Sequence, residues 1–366
     1  MPQAASNLTE QRALFNRYPA LRDTIPFLPL ADLPTPVHRI TELEEAVGID
    51  SLWVKRDDLT AADYGGNKIR KLEFLLAAAQ QNNSTTVITF GGYGSNHALA
   101  TAINCQKLGL KCVAILTPEP ATAAVRKTLR YHLQLGTRIE IAHHYGEMSN
   151  TANRIRESVG ADYCYEIPMG GSSWLGALGF VDAAFELQAQ IKAGHVPSPD
   201  QIYLACGTAG SSAGLAVGLL LAEIPASLMA VQVTPESMQP EQLFRDLFHE
   251  INNELSVRDN SIPLLNEDQA NATVRNDQLG DGYAMPTTAA VTAAELMQQT
   301  GGFPASTTYT AKAMAALMAD AGRGLLANKN ILFWNTYNSH PYPELPDDDS
   351  WRELPEEMHS IFTEST

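Results

Sequence analysis

The segment Tyr64-Gly65-Gly66-Asn67-Lys68-Ile69-Arg70-Lys71-Leu72-Glu73-Phe74 sets two glycines directly before an apolar-periodic run. Lys68 therefore falls in the first turn of a predicted helix. The positive end of the helix dipole disfavours an ammonium there. Together with burial, that field lowers an amine's pKa, and a neutral amine is what Schiff-base chemistry needs. Read alone, the segment has a plainer account: a solvated lysine beside a glycine turn. It is not a Walker A loop, because the glycine spacing and a following Ser or Thr are missing.

Further segments place small polar residues between a predicted strand and a predicted helix. Gly91-Gly92-Tyr93-Gly94-Ser95-Asn96-His97 has His97 where a dinucleotide fingerprint needs glycine. No acidic residue ends the next strand, which argues against a nicotinamide site. Ser95 and Asn96 then read as short polar groups in the crevice above a parallel sheet, where ligands of open α/β folds bind. The plain alternative is an N-cap serine. Gly207-Thr208-Ala209-Gly210-Ser211 carries no bulky side chain. Its backbone N–H groups, two hydroxyls and the helix dipole can close around a phosphate, and that reading is favoured over a tight packed turn. Asp281-Gly282-Tyr283-Ala284-Met285-Pro286 and Tyr309-Thr310-Ala311-Lys312-Ala313-Met314 look, alone, like ordinary loop-to-helix junctions. His143, His144 and His340 have no spacing to carboxylates that suggests a metal.

These segments need a scaffold, and the chain alternates strand and helix signals over most of its length. Strands are predicted at residues 51–55, 86–90, 111–116, 201–206, 228–233 and 331–334. Helices are predicted at 69–80, 98–108, 121–135 and 213–221. The alternation predicts an α/β protein with largely parallel sheets flanked by helices. Residues 239–271 break the rhythm with a polar, acidic and exposed stretch, partly helical. The tail from Pro341 is rich in Pro, Asp and Glu and reads as a surface extension. The 366 residues suffice for about two domains. Composition is globular, at 45% hydrophobic and 18% charged residues.

The formal net charge of -16 opposes a broad nucleic-acid surface but leaves room for one small anion held by backbone amides. No apolar run reaches the roughly 18 residues of a membrane span. The first ten residues lack a basic stretch followed by an apolar one, so no signal peptide is expected. Cys105, Cys112, Cys164 and Cys206 form no C-x-x-C pair. They read as reduced, buried thiols of a cytoplasmic protein.

Taken together, the motifs resemble one family. Gly65 to Phe74 resembles the Schiff-base lysine motif of the aminocyclopropane-carboxylate deaminase and D-cysteine desulfhydrase family. Gly94-Ser95-Asn96-His97, Ile167-Pro168-Met169-Gly170-Gly171-Ser172, Leu175-Gly176-Ala177-Leu178-Gly179, Gly207 to Gly214 and Tyr309 to Met314 match in family order, spanning roughly residues 30 to 336. The resemblance implies pyridoxal 5'-phosphate bound in the two-domain tryptophan-synthase β-like fold, fold type II. Residues 72–168 would form the smaller α/β domain, and 1–71 with 169–366 the larger, cofactor-binding one. A homodimer and a small amino-acid substrate are implied, with no nucleic acid and no membrane.

By the same resemblance, Lys68 joins the cofactor covalently and later moves a proton. Asn96 bonds the cofactor's 3'-oxygen. Ser95, with Asn96 and His97, faces the substrate, either holding its carboxylate or passing a proton. Thr208, Ala209, Gly210 and Ser211 hold the phosphate, with Lys71 a weaker candidate, and Tyr283 and Tyr309 lie on the substrate side. Thr310 faces the pyridine nitrogen. Ring-opening deaminases have glutamate there, whereas desulfhydrase-like members have threonine. A neutral hydroxyl gives a weaker electron sink, which suits loss of a β leaving group after α-proton removal. The implied reaction is α,β-elimination from D-cysteine or a similar small amino acid, giving pyruvate, ammonia and sulfide. The alternatives are ring-opening deamination and a pyridoxal-phosphate-binding protein with little turnover.

The sequence also departs from the family. Its last strand usually ends in Thr-Gly-Gly, where this chain reads Asn335-Thr336-Tyr337-Asn338. Tyr337 is expected to fill the space of the glycines or to shift the backbone. Tyr93-Gly94 replaces a usual apolar-Gln pair before Ser95.

Overall fold

Continuous apolar runs become strands buried along their whole length. Gln201–Cys206 and Ile331–Asn335 are buried at every position. This is the pattern of parallel strands covered on both faces. The structure, a computed structural model, describes residues 12–345 and 348–363. The first ten residues, on which the expectation about a signal peptide rests, lie outside them.

The strands are, in chain order, β1 (Val37–Arg39), β2 (Leu52–Arg56), β3 (Thr86–Gly92), β4 (Lys111–Thr117) and β5 (Arg138–Ile141). Then come β6 (Cys164–Ile167), β7 (Gln201–Cys206), β8 (Ser227–Gln232), β9 (Ala272–Arg275) and β10 (Ile331–Asn335). They form two sheets, and the chain divides into two compact units.

The larger unit holds residues 12–25, Ala31–Lys71 and Ser172–His340. Its sheet has the order β1-β2-β10-β7-β8-β9, parallel except for the β1–β2 pair. Helix Trp174–Lys192 packs closely on helix Gly210–Leu221. Gly214 and Gly218, four apart on one helix face, make that approach possible. A Cβ at Gly214 would lie 2.3 Å from the Ala177 carbonyl oxygen, and one at Gly218 2.9 Å from Val181 Cα. Under the sheet, Leu43, Val54, Tyr203, Phe303, Met314 and Phe333 belong to one buried cluster. The acidic stretch is not simply exposed. Its helix Pro240–Arg258 buries Phe244, Leu247, Phe248, Ile251 and Leu255, a helical stripe that polar composition concealed.

The smaller unit holds Pro26–Leu30, Leu72–Gly171 and the described residues from Pro341 onward. Its sheet, β5-β4-β3-β6, is parallel throughout. The segment before the first motif joins it by two bonds: Leu28 N–H donates to the Glu73 carbonyl at 2.9 Å, and Leu30 N–H to Glu73 Oε1 at 3.0 Å. The tail, read from its charges as a surface extension of the larger domain, groups here. Leu354, Met358 and Ile361 are buried in a cluster with Tyr93, Leu116, Val125 and Leu129. Arg126 Nε donates to the Ile361 carbonyl at 2.6 Å.

Among the described residues no helix is long and apolar enough to cross a membrane. All four cysteines are free; Cys164 is only half-buried, unlike the other three.

Candidate active site

The lysine turn is built by close backbone contact. A Cβ at Gly65 would lie 2.0 Å from the Asp58 carbonyl oxygen. Gly66 has φ +103°, and a Cβ there would sit 3.0 Å from the Thr336 carbonyl oxygen. Only glycine meets both demands. Gly66 N–H donates to the Asp57 carbonyl at 2.8 Å, and Asn67 N–H to the Thr336 carbonyl at 3.1 Å. The turn opens directly into helix Asn67–Gln81, with Lys68 in its first turn.

Burial lowers the Lys68 amine from its ordinary 10.5 to about 8. Other buried lysines are held by partners. Lys55 Nζ bonds Glu186, the Thr35 carbonyl and Gln190 Oε1. Lys312 Nζ donates to the carbonyls of Leu279 at 2.6 Å and Gly282 at 3.2 Å, which fixes the loop carrying Tyr283. Among the described residues no carboxylate acts on the Lys68 amine.

Two residues on, Arg70 anchors the helix. It is fully buried, and two of its nitrogens bond Asp57 at 2.7 and 2.8 Å. It also meets Glu186 Oε2 at 3.0 Å, and Trp334 Nε1 donates to Asp57 at 2.8 Å. Burial alone would raise the Glu186 carboxyl, but Arg70 and Lys55 bring it far below the usual carboxylate range. Helix Trp174–Lys192 comes in against this point, where a Cβ at Gly179 would lie 2.3 Å from the Arg70 carbonyl oxygen.

Beside the lysine turn, Gly207–Ser211 joins β7 to helix Gly210–Leu221. Ala209, its N-cap, is left-handed at φ 60°, and its own side chain gives no cap. No acidic residue stands in the helix's first turn, so the positive helix end has no built-in anion. Asn67 Nδ2 donates to Ser211 Oγ at 3.0 Å, tying the lysine turn to this loop. Ser172 Oγ lies 2.7 Å from Thr208 Oγ1, accepts from Gly210 N–H at 3.2 Å and accepts from Lys71 Nζ at 3.3 Å. Lys71 is buried, and desolvation with the nearby Lys68 charge holds its amine well below the ordinary value.

Tyr309 flanks the same loop. Its ring lies 3.8 Å from where a Cβ on Gly207 would stand, and its hydroxyl bonds that of Tyr283. Thr310 begins helix Thr310–Gly322, is fully buried, and accepts from Ser306 N–H at 2.9 Å. The larger unit thus brings together Lys68, Lys71, Thr208, Ala209, Gly210, Ser211, Tyr283, Tyr309 and Thr310.

Ser95, Asn96 and His97 stand on the smaller unit, where β3 meets helix Asn96–Lys107. Ser95 is the N-cap and accepts from Ala98 N–H at 3.2 Å, so the plain capping account is realised whatever else the residue does. Glu119 supports this turn: its Oε2 accepts from Gly94 N–H at 2.8 Å. Burial raises the Glu119 pKa, partly offset by that bond. Glu119→Ala leaves the amide without its acceptor and should cost on the order of 1–3 kcal/mol in a denaturant titration, whereas Glu119→Gln should recover most of the loss.

Residues 28–336 match the family described as pyridoxal-phosphate dependent enzyme. The chain belongs to that family. A D-cysteine desulfhydrase of Klebsiella pneumoniae (strain 342) is 34% identical over 299 residues, covering 80% of this chain and 88% of that protein. The D-cysteine desulfhydrase of Salmonella newport (strain SL254) is 34% identical over 301 residues, with the same coverage. Among solved structures, an ACC deaminase homologue superposes with a TM-score of 0.75 at 28% identity, covering 89% of this chain and 94% of its own. Threonine deaminase isoform 2 from Solanum lycopersicum, at 15% identity and TM-score 0.60 over 93% of each chain, shares the fold. The expected α/β fold type II, the enzyme class and the pyridoxal-phosphate cofactor are therefore established.

The residues fit that cofactor. The Lys68 charge disfavours a charged Lys71 beside a helix end with no acidic residue in its first turn, and a phosphate dianion there offsets the Lys71 charge while Lys68 is left for the covalent bond. The absent side chain at Gly210 matters to this fit, because a Cβ there would lie 2.4 Å from Ser172 Oγ and 2.5 Å from Lys71 Nζ. Gly210→Val should weaken pyridoxal-phosphate retention by about tenfold or more in equilibrium dialysis, the equivalent of losing one charge-assisted bond.

Sequence reasoning gave Ser172, Asn67 and Glu119 no role. Ser172 and Asn67 lie within family motifs, which is their only signal, and Glu119 acts on an amide twenty-five residues away, beyond any local pattern.

Proposed function

We propose that this enzyme is a lyase that removes the α-proton and the β-substituent of a small amino acid. D-cysteine is the leading substrate, with water consumed and pyruvate, ammonia and hydrogen sulfide released. The observation that carries this reading is Thr310. A buried hydroxyl, engaged by the Ser306 amide, stands where the ring-opening members of the resembled family have a charged carboxylate. The D-cysteine desulfhydrases among the relatives support it.

Pyridoxal phosphate supplies the sink for the electron pair left at Cα when the proton departs. This chain's residues do the rest. Lys68, with an amine titrating near 8, carries the cofactor and afterwards accepts the α-proton on Nζ. The amides and hydroxyls of Thr208–Ser211, with Lys71 and Ser172, hold the phosphate. Asn96 is assigned the 3'-oxygen, and Ser95, with Asn96 and His97, the substrate, whose carboxylate Ser95 holds or to which it passes a proton. The hydroxyls of Tyr283 and Tyr309 are hydrogen-bonded to each other, and one of them can pass a proton to the leaving sulfur. A cytoplasmic homodimer completes the reading, supported by the resemblance and by four free cysteines.

The ACC deaminase homologue among the solved structures favours a second reading, ring-opening deamination. One assay separates them. The loaded enzyme is given D-cysteine, L-cysteine and 1-aminocyclopropane-1-carboxylate, and keto acids and sulfide are measured. Pyruvate with sulfide from D-cysteine is the expected result. 2-Oxobutanoate from the cyclopropane substrate, with no pyruvate from either cysteine, overturns it.

A further inference from the structure

We infer that Asn338 is a positioning residue for Lys68, a clamp this chain has built where the resembled family carries glycine. The inference rests on the reading of Lys68 as the cofactor lysine.

Past β10 the chain folds back over the lysine turn as a strap. Thr336 offers its carbonyl to Asn67 N–H at 3.1 Å. Asn338 Oδ1 accepts from Gly65 N–H at 2.7 Å and from His340 N–H at 3.0 Å, while its Nδ2 donates to the His340 carbonyl at 2.7 Å. Ser339 N–H donates to the Asp58 carbonyl at 3.3 Å, and its hydroxyl to Asp58 Oδ2 at 2.5 Å. Arg56 in turn holds that carboxylate at 2.8 Å. The Asn338 side chain therefore uses its oxygen and its nitrogen together, and the residue is only 6% exposed.

The placement has consequences for the lysine. Gly65 and Gly66 are conformationally free residues that the chain must hold in one shape. In the resembled family, a glycine at this place offers no side chain to hold them. Here Asn338 fixes the Gly65 amide three residues before Lys68, and Thr336 fixes the amide immediately before it. Both the direction of the Lys68 side chain and the dry setting that keeps its amine near 8 depend on that turn staying closed. The Thr336 carbonyl reaches Asn67 N–H, so the backbone just before Tyr337 touches the lysine turn.

Asn338→Ala leaves two amides without an acceptor. The full chain, loaded with pyridoxal phosphate, is compared with Asn338→Ala, Asn338→Asp and Lys68→Ala by hydrogen exchange of the peptide spanning Gly65 to Ile69 and by the dissociation constant of the cofactor. Asn338→Ala should speed exchange in that peptide about tenfold without change elsewhere and weaken cofactor binding about tenfold. Asn338→Asp keeps the acceptor for Gly65 N–H but loses the Nδ2 donor to the His340 carbonyl, so it should recover part of both. Unchanged exchange, or faster exchange with unchanged affinity, overturns the inference. Should the alanine variant fail to fold, the aspartate variant decides: slow exchange retained at Gly65 with the acceptor in place supports the clamp, and exchange there as fast as at an unprotected amide overturns it. Lys68→Ala separates the two layers. If that variant still forms a covalent adduct, the reading of Lys68 itself fails. If it does not, and Asn338→Ala behaves as wild type, only the clamp is refuted.

Discussion

Lys68→Ala should abolish covalent capture of pyridoxal phosphate and lower kcat on the order of 10³-fold or more, because one amine both carries the cofactor and moves the α-proton. The protein should remain folded, since no carboxylate among the described residues depends on this side chain. The pH dependence follows from burial. With a pKa of about 8 in place of 10.5, roughly one Lys68 amine in ten is neutral at pH 7, against about one in three thousand for an ordinary lysine. The capture rate in cofactor-free protein should therefore rise about tenfold per pH unit up to pH 8 and then level off. Stopped-flow visible absorption measures this. The same shift penalises the folded state wherever the amine must be charged. That penalty is fully present below about pH 8 and is relieved as pH rises towards 10.5.

Asp57→Ala should cost about 3–5 kcal/mol of stability, the largest such loss expected of a single side chain here. Asp57 accepts two bonds from Arg70, one from the Thr35 hydroxyl at 2.9 Å and one from Trp334 at 2.8 Å, all in the dry interior. Removing it leaves the buried Arg70 with Glu186 as its remaining carboxylate partner and the Trp334 N–H without its acceptor. Because Arg70 lies one half-turn beyond Lys68, the variant should also bind the cofactor less well even where it stays folded. Chemical denaturation with and without pyridoxal phosphate checks both effects. Glu186, on the other side of Arg70, has a carboxyl held far below its ordinary value. Its contribution is full above the ordinary carboxylate range and is lost progressively as pH falls below it, completely once the depressed value is passed.

Much of this arrangement could be read from the residues. Apolar runs such as Ile202-Tyr203-Leu204-Ala205 and Ile331-Leu332-Phe333-Trp334 have the signature of strands buried on both faces, and both stand in the central sheet. The Gly65-Gly66 and Gly207–Ser211 segments announced themselves because glycine at a strand–helix junction has few structural uses. The assignment of Thr310 and of the tyrosines needed the family resemblance, since each junction alone looks ordinary.

What stayed hidden depends on distance along the chain. The Gly65–Asn338 bond joins residues 273 apart, and Arg70 meets Glu186 across 116. No local periodicity carries such a pairing. The tail misled for a different reason. Its charges dominate the composition, while the residues that bury, Leu354, Met358 and Ile361, are few and spaced so that short 3-10 turns bring them to one side.

The most direct measurement is borohydride reduction of the cofactor-loaded protein, followed by proteolysis and mass mapping. The account expects the reduced pyridoxal-phosphate increment on Lys68 alone. An increment on Lys71 or Lys312 instead, or none on any lysine, contradicts it.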